Sequence, residues 1–139
     1  MNKAVIADTG PLVALFDRGD EHHEWALNGL GKIRGPMFTA ESVVSEVLFL
    51  LRDMPRSRAA FLEFWSEGAL RIAFQLEGNK AALTALLRKY ADAGMSMAAA
   101  TAVRLSELHP DALVWTLDKD FRIYRRAGRK VIPLFDWPR

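Results

Sequence analysis

Residues 3–15, Lys3-Ala4-Val5-Ile6-Ala7-Asp8-Thr9-Gly10-Pro11-Leu12-Val13-Ala14-Leu15, decide how the rest of the chain is read. An apolar run too short for a helix stops at a carboxylate. The turn signal Gly10-Pro11 follows, and then a second apolar stretch at helical spacing. The pattern predicts a short buried strand over residues 3–8 and a helix over about 11–17. A strand apolar on both faces belongs in a parallel sheet covered by helices.

The same alternation continues outward. A helix is predicted at about 21–31 and a short strand at Met37-Phe38. Thr39 offers an N-cap to an apolar helix at about 40–52, which Pro55 breaks, and Arg56 to Ser66 forms another. Residues 70–74 alternate like a strand, and Asn79 to Tyr90 is an amphipathic helix. Ser96 reads as the N-cap of a helix that runs to His109 and is stopped by Pro110. Residues 112–116 read as a strand, about 119–126 as a short helix and Val131 to Leu134 as a last strand. The expected class is α/β, with a central, mainly parallel sheet flanked by helices. Right-handed crossovers put the strands' C-terminal ends along one edge, where such sheets bind ligands near the switch in strand order.

The chain has 139 residues, half of them hydrophobic, which is enough for one domain over 1–139 with a real core. It has no cysteine, so disulfides and thiolate metal sites are excluded. Asp8 interrupts the first apolar stretch before it reaches signal-peptide length, and no run approaches a membrane span. A cytoplasmic, soluble protein is the expectation. A net charge of +2 and a pI near 9.2 permit a nucleic-acid partner without requiring one. Arg52, Arg56 and Arg58 form one basic cluster, and Arg122, Arg125, Arg126, Arg129 and Lys130 another. Either could hold phosphates, and either could be a solvated helix face.

Three acids stand out. Asp8 and Asp118 each follow an apolar strand, so the topology makes them neighbours at one sheet edge. Glu46 interrupts an apolar helix, among Val43, Val44, Val47 and Leu48. Taken singly they have bland roles: a turn former, a helix cap and one half of an ion pair. Taken together, three carboxylates at one edge repel each other, and a hard divalent cation relieves that. Mg²⁺ or Mn²⁺ prefers carboxylate oxygens and retains waters that a phosphate can displace. Such a site can activate water and stabilise phosphodiester displacement.

The stretch Ile6-Ala7-Asp8-Thr9-Gly10-Pro11-Leu12-Val13-Ala14-Leu15 resembles the opening of PIN-domain nucleases. Thr39-Ala40-Glu41-Ser42-Val43-Val44-Ser45-Glu46 is similar to their second motif, Tyr90 to Ala100 to their third, and Thr116-Leu117-Asp118-Lys119-Asp120-Phe121 to their last. The length and the ending Val131-Ile132-Pro133-Leu134 resemble the VapC-type toxin branch. The resemblance implies a three-layer PIN-like domain and a Mg²⁺- or Mn²⁺-dependent endoribonuclease. It also implies an RNA substrate, a cognate antitoxin protein that blocks the active-site groove, and a homodimer. On this reading Asp8, Glu46 and Asp118 are the catalytic, metal-holding acids, with Thr9, Thr116 and Asp120 as accessories. Arg52, Arg56, Arg58, Arg122 and Arg125 are the residues expected to hold RNA.

One position departs from the family pattern, which puts aspartate where this chain has Ala99. Alanine cannot bind a metal, so the resemblance implies an impaired nuclease, or an inactive module that binds RNA or antitoxin without cutting. The intact remainder of the acidic set favours an introduced substitution over a natural one. Asp92 and Asp120 are the candidate compensating acids, Asp120 being the better placed in sequence. Other signals are set aside. Asp8-Thr9-Gly10 matches an aspartic-protease signature, but that fold is nearly all β. His22 and His23 are adjacent on a helix and cannot chelate together. His109 sits at a helix end, and Trp25, Trp65, Trp115 and Trp137 read first as packing residues. No phosphate-binding glycine loop is present.

Overall fold

The computed structural model describes residues 2–138. Strand β1 (Val5–Ala7) occupies the interior of a parallel sheet. It pairs with β2 (Met37–Thr39) on one side and β4 (Leu113–Trp115) on the other, and β2 pairs with β3 (Arg71–Ile72). The order is β3-β2-β1-β4, and a parallel bridge from Val114 to Leu134 adds a single contact beyond β4. Val5 and Ala7 enter one core while Ile6 enters the other, the alternation a doubly covered strand requires. Helices α1 (Thr9–Phe16), α3 (Glu41–Leu50) and α4 (Pro55–Ser66) close the first face around Leu12, Val43, Val47 and Phe61. Helices α5 (Lys80–Lys89) and α6 (Met97–Leu108) close the second around Leu83, Leu86 and Val103. Helix α2 (His23–Lys32) packs on α1. The order switches at β1, between β2 and β4, and that crevice is where the fold places a ligand. No helix among the described residues is long and apolar enough to cross a membrane.

Several local expectations change. Helix α1 begins at Thr9, directly after Asp8, so Gly10-Pro11 is its first turn and not a separate turn before it. A proline there forfeits no helical hydrogen bond. Gly10 is small for a reason: a Cβ on it would lie 3.1 Å from Leu117 Cβ. Thr39 ends β2, Ala40 takes the N-cap position of α3, and the Thr39 hydroxyl donates to the Ala7 carbonyl at 2.9 Å. Of residues 70–74 only Arg71–Ile72 pair as strand.

The predicted helix over 119–126 is a four-residue 3-10 turn, Lys119–Arg122, followed by a strand. That strand, β5 (Arg125–Arg126), pairs antiparallel with β6 (Lys130–Val131). Residues 127–129 join them, and Ala127 and Gly128 have φ of 50° and 84°, left-handed values through which the chain reverses. The predicted last strand therefore splits. Val131 ends the hairpin, and Leu134 alone reaches the main sheet. Ser96 caps α6 as expected, its hydroxyl accepting from Ala99 N–H at 3.0 Å, and Pro55 occupies the first turn of α4.

Two glycines of α2 test this packing with opposite signs. A Cβ on Gly29 would meet the buried Trp115 indole at 3.1 Å, whereas one on Gly31 would meet nothing within 4 Å. Gly29→Leu is expected to cost about 1–3 kcal/mol by overpacking. Gly31→Ala is expected to gain up to about 1 kcal/mol of helix stability. Urea denaturation of both variants checks this.

Candidate active site

A cleft of about 310 Å³ opens at the C-terminal ends of β1 and β4, with Asp8, Glu46 and Asp118 on its walls together with Thr9 and Ala99. The strands set the first two acids. The Asp8 N–H donates to the Trp115 carbonyl at 2.9 Å, so Asp8 continues the β1–β4 ladder by one residue before the chain turns into α1. Thr116 directly follows β4. Its hydroxyl donates to Asp8 Oδ2 at 2.7 Å and accepts the Asp118 N–H at 3.0 Å. Asp118 then caps the 3-10 turn, its Oδ1 accepting the Asp120 N–H at 2.9 Å. The bland capping role of Asp118 and its place on the cleft therefore coexist.

Glu46 comes from the second turn of α3, but not from inside an apolar face. The buried stripe is Val43, Val44 and Val47, and Glu46 is exposed on the cleft side. It forms no ion pair among the described residues. Ala99 lies in the first turn of α6, buried, at the boundary between the cleft and the second core.

The electrostatics follow from burial. The Asp8 carboxyl is pushed up from its ordinary 3.8 to about 6, mostly by desolvation. The hydrogen bonds from Thr116 and the Thr9 backbone oppose that rise, and the charges of Asp118 and Glu46 add to it. The Asp118 carboxyl is also raised, first by burial and then by Asp120, against the hydrogen bond from the Asp120 backbone. Behind them Tyr124 is buried, and its phenol is pushed up to about 12, by desolvation first and then by Asp118, Asp120, Asp8 and Tyr90.

The donor set suits a hard divalent cation, because the carboxylates are oxygen-only and mutually repelling. The Thr9 hydroxyl is a second sign: it is buried on the same cleft with no hydrogen-bond partner. Among the described residues the acids do not close into a group of three or more around one point. The arrangement fits Mg²⁺, which is usually held by one or two carboxylates with waters completing its shell.

The remaining candidates are dispersed. Asp92 is exposed in the 3-10 turn Ala91–Ala93, and Asp120 is half-buried beside Asp118 but off the cleft wall. Arg52 donates to the Phe49 carbonyl at 2.7 Å and lies 4.0 Å over the Phe49 ring. Arg56 lines a separate cavity of about 740 Å³ with Arg18 and His23, and Arg58 is exposed on α4. Arg125 Nη1 donates to the carbonyls of Arg122, Ile123 and Tyr124, and Arg126 donates to those of Ser106 and Pro110. His23 Nδ1 lies 2.7 Å from the Ala14 carbonyl, and His109 stacks on Phe38. Leu50, Leu117 and Ser96 also line the cleft, a place the sequence pattern does not assign them. Leu50 carried a usable signal, standing four residues after Glu46 on the same helix face.

A family model described as PIN domain matches residues 5–127. Among solved structures, the fold is similar to the crystal structure of VapC20 of Mycobacterium tuberculosis, a sarcin–ricin loop cleaving toxin. The TM-score is 0.73 at 19% sequence identity, over 84% of this chain and 91% of that one. No curated protein sequence matches.

The raised Asp8 carboxyl makes stability pH-dependent in a defined direction. Between about pH 4 and 6 the unfolded chain gives up this proton while the folded chain keeps it, so this group's contribution falls as pH rises. Above pH 6 the penalty levels off at about 3 kcal/mol. Asp8→Asn, which retains an acceptor for Thr116, is expected to raise the melting temperature at pH 7.5 in EDTA and to flatten the decline between pH 4 and 6. Thermal melts across that range check it.

Proposed function

The chain belongs to the PIN-domain family, and on that footing we propose that it is a divalent-metal-dependent endoribonuclease whose activity is weakened by alanine at position 99. The observation that carries this reading is the convergence of Asp8, Glu46 and Asp118 on one cleft at the sheet's switch point, with Asp8 desolvated beside two like charges. Asp8 and Asp118 would hold Mg²⁺ or Mn²⁺, with Glu46 facing them from α3. When bound, the cation would supply charge neutralisation at the phosphodiester and lower the pKa of water.

The chain's own residues do the positioning. Thr116 fixes the Asp8 carboxylate by donating to Oδ2, and the Thr9 backbone also bonds the carboxylate, so its orientation on the cleft is set from two sides. The Asp120 N–H occupies Asp118 Oδ1 and orients its second oxygen. Thr9 offers a hydroxyl with no competing partner. Glu46, exposed at the cleft mouth, can take or hold a proton from an attacking water. Phosphate-holding charge would come from Arg52, Arg56, Arg58 and Arg122, with Arg125 offering what its backbone contacts leave free.

The fold neighbour's description as a loop-cleaving toxin supports a toxin role; that it belongs to a type II toxin–antitoxin pair, acts on RNA and is restrained by a cognate antitoxin protein is proposed from the family resemblance. A homodimer and a cytoplasmic location belong to the same proposal. A second reading is favoured by Ala99: an inactive PIN-fold module that binds RNA or antitoxin without cutting.

Restoring the acid separates the two. Ala99→Asp is expected to tighten Mn²⁺ binding by on the order of 10–100-fold and to raise divalent-dependent cleavage of single-stranded RNA. Asp118→Asn in that background should abolish both. Calorimetric Mn²⁺ titration and gel assays read the result. An Ala99→Asp protein that gains no cleavage, from a parent that binds no Mn²⁺, would sink the nuclease reading and leave the binding module.

A further inference from the structure

The segment after Leu134 leaves the sheet edge and is fastened at several points. The Phe135 N–H donates to the Val114 carbonyl at 2.8 Å. The Trp25 indole N–H donates to the Asp136 carbonyl at 2.7 Å, and Lys32 pairs with the Asp136 carboxylate at 3.0 Å. Asp136 itself adopts φ 49°, a left-handed conformation unusual for a residue other than glycine. Strain held in place by surrounding contacts is a pointer to function. Here its effect is to present Trp137, half-buried, against Arg122, whose guanidinium carbon lies 4.8 Å from the indole centroid.

Arg122 ends the 3-10 turn that Asp118 caps. At about 2 Å of rise per residue its backbone stands about 8 Å along that turn from that of the acid, and Arg122 is not among the residues that line the cleft itself. Residues three apart eclipse in a 3-10 turn, so Lys119 and Arg122 share a face. Both are exposed, while Phe121 anchors the turn in the core. Two cations, one of them stacked over an aromatic ring, make a pairing that single-stranded nucleic acid uses: phosphates on the cations and a base on the guanidinium plane or on the ring face that the guanidinium does not cover.

We infer that Lys119, Arg122 and Trp137 form a nucleotide subsite flanking the acidic cleft, which stacks an unpaired RNA base next to the phosphodiester to be cut. The inference rests on the RNA reading above and extends it to a place on the surface. Arg125 and Arg126 do not belong to it, since their guanidinium groups are engaged by backbone carbonyls.

Anisotropy of a short fluorescein-labelled single-stranded RNA, measured in EDTA with the full chain, tests binding apart from cleavage. Trp137→Ala should weaken binding by on the order of 5- to 100-fold, and Trp137→Phe should restore most of it. Lys119→Gln and Arg122→Gln should each lower the slope of log affinity against log salt by about 0.7. In the unaltered protein, a fluorescent adenine analogue moved along the RNA should be quenched at one or two adjacent positions only. Position-independent fluorescence would overturn the subsite even if Trp137→Ala failed to fold. RNA binding that both Trp137→Ala and Arg122→Gln leave unchanged would overturn the subsite alone. No salt-dependent RNA binding by the unaltered protein would overturn the RNA reading with it.

Discussion

The working edge of this fold depends on a contact between two residues far apart in sequence: the Thr116 hydroxyl donating to the Asp8 carboxylate at 2.7 Å. Burial alone would drive Asp8 to protonate, and this bond is the largest influence that opposes it. The contact exists because β1 and β4 pair in parallel with Ala7 opposite Trp115, which brings the next residue of each strand to the same level. The hydroxyl's remaining acceptor capacity then takes the Asp118 N–H, and Asp118 in turn takes that of Asp120. Strand register, helix start and site geometry are thus set by one chain of hydrogen bonds. A slip of β4 by one residue would turn Thr116 to the other face and break its bond to Asp8, which alone of the three crosses between strands.

Much of this was legible in the sequence where the signal was apolar. The runs at Val5–Ala7 and Leu113–Trp115 could only be doubly covered strands, and with right-handed crossovers that sufficed to bring Asp8 beside Asp118. What was not legible lacked an apolar pattern. The β5–β6 hairpin is built from Arg125, Arg126, Lys130 and Val131, with no alternation to betray it, and its turn has Ala127 where asparagine would have been the usual marker. Thr39 looked like a cap because threonine caps helices. Its hydroxyl instead had the buried Ala7 carbonyl as a partner, a tertiary contact that no local pattern encodes. Glu46 looked embedded because every neighbour within two residues but one is apolar. At 3.6 residues per turn those neighbours fall on other sides of the helix, and a narrow buried stripe leaves Glu46 outside it.

The basic clusters show why counting charges misleads. Arg126 reaches the carbonyls of Ser106 and Pro110 at the C-terminal end of α6, where unpaired carbonyls and the helix dipole both call for a cation. Arg125 serves the 3-10 turn in the same manner. A run of basic residues read as one phosphate patch is therefore divided by backbone need, with Arg122, Arg129 and Lys130 left to the surface and Arg125 and Arg126 engaged by carbonyls. Backbone acceptors are invisible in a sequence, so the division could not be seen there.

Ala99 sits where fold and chemistry can be separated. The helix start does not need a side chain at that position, because the Ser96 hydroxyl already accepts the Ala99 N–H. Nor does the dipole favour alanine, since a carboxylate in a first turn is stabilising. What alanine does satisfy is packing: Ala98, Ala99 and Ala100 are all buried, and α6 lies close enough to α3 for Ser42 and Thr101 to hydrogen-bond at 3.1 Å. Ala98 and Ala100 face opposite cores, whereas Ala99 alone of the two that join the second core also borders the cleft. A longer side chain there has the cleft to extend into, so an acid costs little packing. The price of an acid at 99 is electrostatic, a fourth negative charge near three others, and that is a cost only a bound cation removes.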